Sequence, residues 1–198
     1  MKIKDLYKNS VIIIFLETAR AEFGDIELAE ESRIISGQDS ALEETVVKVF
    51  RCSKVVKGGR RFSFAAMVAV GDRAGKVGIG YGKAKEVPMA VNKAIKDARK
   101  SLYKISLNGQ TIPHQSTGKF GATKIVLIPA SPGTGVIAGS SARAVLELVG
   151  VHDVLTKVYG STTTKNVVKA TMNGLLKLRD PQSIGQIRGV AVEPVKRW

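Results

Sequence analysis

The chain has 198 residues, room for one large domain or two small ones, and 44% of them are apolar, enough for a packed core. Its 31 Lys and Arg against 17 Asp and Glu give a net charge of +14, unevenly spread: residues 1–44 hold five cations and ten acids, residues 45–198 twenty-six cations and seven acids. A body that basic, with its cations interleaved among periodic apolar residues, excludes a low-complexity charged tail and suits a folded protein with a polyanionic partner.

Lys2, Lys4 and Lys8 precede the longest apolar run, Val11 to Leu16, in superficial likeness to a signal peptide. Six residues fall short of an h-region of about 7–15 and of a membrane span of about 20. A short buried or interfacial segment in an unexported protein is expected. Residues 1–44 otherwise read as an acidic, loosely ordered extension with at most a short helix, or as an over-extended start of the coding sequence.

From Thr45 the pattern turns to strands. "TVVKVFRCSKVV", with Val47, Val49 and Arg51 alternating against Lys48 and Phe50, predicts a first strand; "RFSFAAMVAVG" and "KVGIGYG" predict two more. Joined through Gly58-Gly59 and through Gly71-Asp72-Arg73-Ala74-Gly75, they read as an antiparallel meander. Pro88 opens a helix whose apolar stripe is Val91, Ala94, Ile95, Ala98 and Leu102. Lys93, Lys96, Lys100 and Lys104 repeat on another face, a row of like charges most easily explained by phosphates nearby. Residues 106–122, rich in Gly, Ser, Thr and Pro, are expected to hold a domain boundary. Then come a buried strand (124–130), a glycine loop, a helix from Ser140 or Ser141, a brief extended segment "DVLTKVYGS", and a helix capped by one of Thr162 to Thr164 and closed before Pro181. Residues 181–198 read as a basic tail.

Two glycine motifs invite nucleotide chemistry. "GKVGIGYGKAK" fails as a phosphate loop, because Ala84 follows Gly82-Lys83 where a hydroxyl is needed and Val77 replaces the first glycine. Its glycines alternate instead, clearing one strand face for another backbone or a nucleic acid. "IPASPGTGVIAG", with Asp153 beyond it, is a loosened dinucleotide fingerprint whose spacing is wrong and which has too little chain after it for a doubly wound sheet. A tight turn packed against a neighbour is the expectation there. Cys52 is the only cysteine, so no intramolecular disulfide can form; with His114 and His152 it makes no metal-ligand spacing. No catalytic residue, metal or cofactor is expected.

"KVVKGGRRFSF" (54–64) packs Lys54, Lys57, Arg60 and Arg61 around two bare glycines. Glycine lets backbone N–H groups reach phosphate oxygens, and the flanking cations neutralise charge and release counterions. No helix-turn-helix, zinc-finger or basic-zipper pattern is present, and a small basic sheet with a protruding loop suits structured RNA. At 6% aromatic content, phosphate and shape contacts are expected to dominate over stacking.

"SKVVKGGRRFSF", "VGDRAGKVGIGYGKAKEVPMAVNKAI", "PASPGTGVIAGSSARAVLELVGVHDVLTKVYGST" and "NVVKATMNGLL" together resemble the bacterial-type small-subunit ribosomal protein S-five family, in family order over most of 45–178. The resemblance implies an α+β protein: a double-stranded-RNA-binding-like domain of three strands and a helix over 45–108, then a small two-layer α/β domain over 109–180. It implies a non-enzymatic, cytoplasmic (or organellar) component of the small ribosomal subunit. Such a component binds rRNA, near the spectinomycin site for the hairpin, supports assembly and decoding accuracy, touches ribosomal proteins four and eight, and lies near the channel by which mRNA enters. Lys54, Lys57, Gly58, Gly59 and Arg60 match the family hairpin; Arg61 falls where the family varies. Lys83, Lys85, Lys93, Lys96 and Lys100 complete the expected RNA-binding set, and Gly133, Thr134, Gly135, Gly139 and Arg143 the expected protein interface. A free-standing RNA chaperone or regulator, and less so a nucleotide-dependent enzyme on the 124–153 unit, are the alternatives.

Overall fold

The computed structural model describes residues 42–189; the Val11–Leu16 run, nearly all of the acidic extension and residues 190–198 lie outside them. Three antiparallel strands, β1 (Glu43–Val56), β2 (Gly59–Gly71) and β3 (Lys76–Ala84), lead into helix α1 (Val87–Lys100). A three-residue strand β4 (Leu102–Lys104) returns to the outer edge of β3, giving the order β1-β2-β3-β4. The second sheet contains β5 (Ser116–Phe120), β6 (Thr123–Pro129), β7 (Val136–Ile137) and β8 (Val154–Gly160), in the order β5-β6-β8-β7. Helix α2 (Ser140–Val149) lies between β7 and β8 in sequence; α3 (Thr164–Leu175) and α4 (Pro181–Arg188) follow. The architecture is α+β, two sheets with four helices among the described residues.

Strand β2 organises the core. Ala65 to Val70 are all essentially buried, because both of its faces are covered. Ala66, Val68 and Val70 meet Ala90, Ala94 and Ala98 of α1. Met67 and Ala69 join a larger core with Ile125, Leu127, Val145 and Leu146 from the second half. A strand covered on both faces needs a continuous apolar run rather than alternation, and "AAMVAV" supplies one.

Helix α1 comes unusually close to the sheet because β3 has no side chains beneath it. A Cβ on Gly78, Gly80 or Gly82 would overlap the backbone carbonyl of Ala98, Ala94 or Ala90 respectively. The match is metric: two strand residues advance about 6.6–6.8 Å, and four helical residues about 6 Å. Every second residue of the strand, a glycine, therefore meets every fourth residue of the helix, an alanine, in antiparallel order. The alternating glycines do clear a strand face, as their spacing predicts, but its occupant is this chain's own helix and not a nucleic acid.

The β2–β3 turn ties the first sheet to the end of helix α2. Asp72 Oδ1 accepts the N–H groups of Ala74 (2.8 Å) and Lys76 (2.9 Å), shaping the turn. The N–H groups of Arg73 and Gly75 then donate to the carbonyls of Leu148 (3.0 Å) and Val149 (2.9 Å), which the end of α2 would otherwise leave unpaired.

Four elements depart from the sequence expectation. The α1 helix stops at Lys100, so Leu102 and Lys104, which fit the helical period, lie on β4 instead. Strand β5 occupies a stretch read only as a boundary; it is rich in small residues because α3 presses on it, and a Cβ on Gly118 would overlap the Ala170 carbonyl. A bulge between Val46 and Lys48 shifts the parity of β1, so Phe50 packs against the larger core while Val49 faces solvent. The start of the supposed tail is α4, entered at Asp180 and Pro181 and without a buried residue.

Filling the glycine stripe is expected to break the α1 contact. Gly80→Val should cost about 3 kcal/mol or more, lowering the melting temperature by roughly 2–4 °C per kcal/mol. An unchanged melt would contradict the close approach.

Candidate nucleic-acid interface

Strand β3 accompanies β2 only from the Phe64–Ala84 pair onward. Residues Gly59–Ser63 pair with Cys52–Val56 of β1 alone, so the two strands continue past the body as an arm of about 17 Å at roughly 3.4 Å per residue. Every residue of the arm is exposed or half-buried. A lone two-stranded hairpin is marginal in water; this one is rooted in the most deeply buried strand of the protein.

The tip is the turn Lys57-Gly58, closed by the Val56–Gly59 pair. Gly59 has φ +141°, a conformation that L side chains rarely adopt. Gly58 is not at positive φ, and a Cβ there would meet nothing within 4 Å. The fold accounts for glycine at 59 but not at 58.

The register sorts the arm's side chains onto two faces. Lys54 stands directly opposite Arg61, on the face that continues into Met67 and Ala69. Like charges in that position destabilise a hairpin unless an anion lies between them. On the other face Val55 is opposite Arg60 and Ser53 opposite Phe62, with the Arg51 guanidinium 3.8 Å from the Phe62 ring centre. Among the described residues the ion pairs are Arg73–Glu43 (2.7 Å) and Arg99–Glu44 (2.8 Å), both at the end of β1 away from the tip.

The other sequence-predicted cations do not all gather with these. Lys83 and Lys85 lie at the root of the arm, Lys83 paired in register with Ala65. Lys93, Lys96 and Lys100 are exposed on the outer side of α1, which runs back along β3 away from the arm. Asp97 interrupts that row: its carboxylate accepts the Tyr81 N–H (3.1 Å) at the part of the β3 edge that β4 leaves open. Lys165, which sequence reasoning missed, donates to Tyr81 Oη (2.6 Å) and lies over the Tyr81 and Phe50 rings, joining the start of α3 to the first sheet. Nothing in its local sequence signals this contact, which depends on how the two halves pack.

The expected protein-contact residues form a loop braced from within. Thr134 Oγ1 donates to the Ser131 carbonyl (2.7 Å), and Arg143 donates to the Val136 carbonyl (3.2 Å). Asp153, only 4% exposed, accepts the Gly135 N–H at 2.9 Å. Gly133, Gly135 and Gly139 have open space where side chains would stand. A dinucleotide site is contradicted by this geometry. Strand β6 pairs antiparallel with β8, β7 intervenes before α2, and the acid meant for a ribose is turned inward as a loop anchor.

Of the histidines, His114 is tied to the backbone, its Nδ1 near the Gln115 carbonyl (2.9 Å) and its Nε2 accepting the Arg179 N–H (3.2 Å). His152 lines an open cleft of about 470 Å³ with Arg73, Arg143 and Glu147. Cys52 is half-buried in the arm.

Residues 42–106 match the family description "Ribosomal protein S5, N-terminal domain", and residues 118–188 match "Ribosomal protein S5, C-terminal domain". Proteins named small ribosomal subunit protein uS5 are similar along most of the chain. That of Methylococcus capsulatus is 52% identical over 160 residues, 81% of this chain and 95% of the relative. That of Rhodopirellula baltica is 53% identical over 154 residues, covering 78% and 87%. That of Chromohalobacter salexigens is 51% identical over 154 residues, covering 78% and 93%. With both halves matched and nearly the whole length of the relatives spanned, this chain belongs to the ribosomal protein S5 family, non-enzymatic structural constituents of the small ribosomal subunit.

Proposed function

We propose that the chain holds small-subunit rRNA with the β1–β2 arm, acting by position rather than by chemistry. The observation that carries this reading is the arm itself: a two-stranded projection with cations directly opposed and a tip glycine that the fold does not require. Phosphate between Lys54 and Arg61 turns a repulsion into two attractions. Lys57 and Arg60 flank the tip, and the bare Gly58-Gly59 backbone can approach phosphate oxygens through its N–H groups. Lys83 and Lys85 extend the contact to the arm's root, and Lys93, Lys96 and Lys100 meet a second RNA segment along α1. The β1-β2-β3-α1 unit serves as a double-stranded-RNA-binding-like module that reads shape and backbone.

The loop with Gly133, Thr134, Gly135, Gly139 and Arg143 is proposed as the protein-facing side, toward ribosomal proteins four and eight. Its internal bracing by Asp153 and Thr134 keeps it rigid, and the open space at Gly139 admits a close neighbour. In this reading the protein sits in the cytoplasmic small subunit near the channel by which mRNA enters, and supports assembly and decoding accuracy. A free-standing RNA regulator is separated by co-sedimentation: a subunit constituent stays with small subunits through a salt wash.

Three outcomes test the arm. Replacing Lys57, Arg60 and Arg61 together by Ala should flatten the slope of log affinity for small-subunit rRNA against log salt by roughly 2–3 units; an unchanged slope contradicts phosphate contact. Gly58→Val should leave the melting temperature unchanged yet weaken rRNA binding about tenfold or more, through a lost backbone contact to phosphate; undiminished binding would remove the tip from the interface. Lys54→Glu should raise the stability of the free protein by roughly 0.2–1 kcal/mol, as an opposed pair replaces a like pair, while weakening rRNA binding. A variant that is no more stable would show that the opposed charges carry no strain.

A further inference from the structure

The arm carries a second, chemically different feature that phosphate binding does not use. Phe62 and Phe64 lie two residues apart on the same face of β2, yet only Phe64 packs against the core of Ala66, Val68 and the α1 alanines. Phe62 is 48% exposed, beyond the reach of the body. Its cross-strand neighbour is Ser53, too small to cover the ring. Arg51 stacks on the ring with its guanidinium 3.8 Å from the centre, and Arg60 stands two residues away on the same face, opposite Val55, itself 73% exposed. The result is a half-exposed aromatic ring with the Arg51 guanidinium over one face and Arg60 two residues along the same face of the hairpin.

That arrangement suits one nucleotide: the exposed part of a flat apolar ring for the base, and cations on the same face of the hairpin for its phosphates. Stacking of bases on aromatic side chains needs no particular base identity, and arginine beside the ring adds a cation–π contribution. We propose that Phe62, backed by Arg51, is a stacking platform for an unpaired base of the RNA that the arm holds. The two faces of the arm then divide the work: Lys54 and Arg61 hold backbone, and Phe62 holds one base out of its helix. The inference rests on the arm being the RNA-binding element, and its test separates the two.

Stacking releases no counterions, so it changes affinity without changing salt dependence. Binding of the full chain to a small-subunit rRNA transcript, measured over a salt series, distinguishes the cases. Phe62→Leu keeps an apolar, strand-compatible residue but removes the ring; it should weaken binding about fivefold or more, on a line parallel to the unsubstituted protein. Phe62→Tyr keeps the ring and should restore binding, and because position 62 lies outside the core both variants should melt with the parent. If Phe62→Leu binds normally while the triple alanine variant flattens the slope, the platform is wrong and the arm stands. If neither changes binding, the arm reading fails too. If Phe62→Leu also flattens the slope, the ring merely positions Arg51 against a phosphate, and the stacking proposal is overturned.

Discussion

The structure depends on one close contact: the backbone of α1 resting on the glycine stripe of β3. Gly78, Gly80 and Gly82 remove every side chain that would hold the helix off, and Ala90, Ala94 and Ala98 answer with the smallest side chains that still bury apolar surface. This closeness seals one face of β2, while the core shared with the second half seals the other. Strand β2 is thereby fixed over Ala65–Val70, and the same strand, uninterrupted, runs out as half of the arm. The arm needs no core of its own because its root is the core.

Charge follows the same axis. Strand β1 begins with Glu43 and Glu44, which pair with Arg73 and Arg99 on the body, and ends in Arg51, Lys54 and, at the turn, Lys57. The acidic end is anchored within the chain, and the cationic end points outward with Lys54 set against Arg61. A hairpin optimised for its own stability would alternate signs across the ladder. This one does the opposite at its exposed end, which is the arrangement expected of a surface completed by a polyanion. The second half anchors the far end of the sheet: the turn that starts β3, at the end of β2 away from the arm, also caps α2 through hydrogen bonds to Leu148 and Val149.

Much of this was legible in the sequence. The β-branched runs and their glycine joints mark β1 to β3, Pro88 marks the start of α1, and the hairpin's charge density singles out residues 54–61. What failed did so for physical reasons. Leu102 satisfies a helical period that the chain abandons one residue earlier, at Ser101, and periodicity alone cannot reveal that. Strand β5 looks like a linker because its helix-facing positions, Ser116 and Gly118, are kept small by the α3 backbone pressed against them. The glycine alternation in β3 revealed a cleared face but not what would fill it, since that depends on where α1 lands. The exposure of Phe62 could not be read from the 6% aromatic content, because it depends on the arm carrying that ring past the core in which Phe64 is packed.

The most direct measurement places a hydroxyl-radical source at the tip of the arm, through Lys57→Cys in a Cys52→Ser background, and maps strand scission in reconstituted small subunits. The account predicts cleavage concentrated at a small number of rRNA segments that converge around the tip, absent when the same source is placed on the exposed side of α4. Intact rRNA around a tip that faces bulk solvent would contradict it.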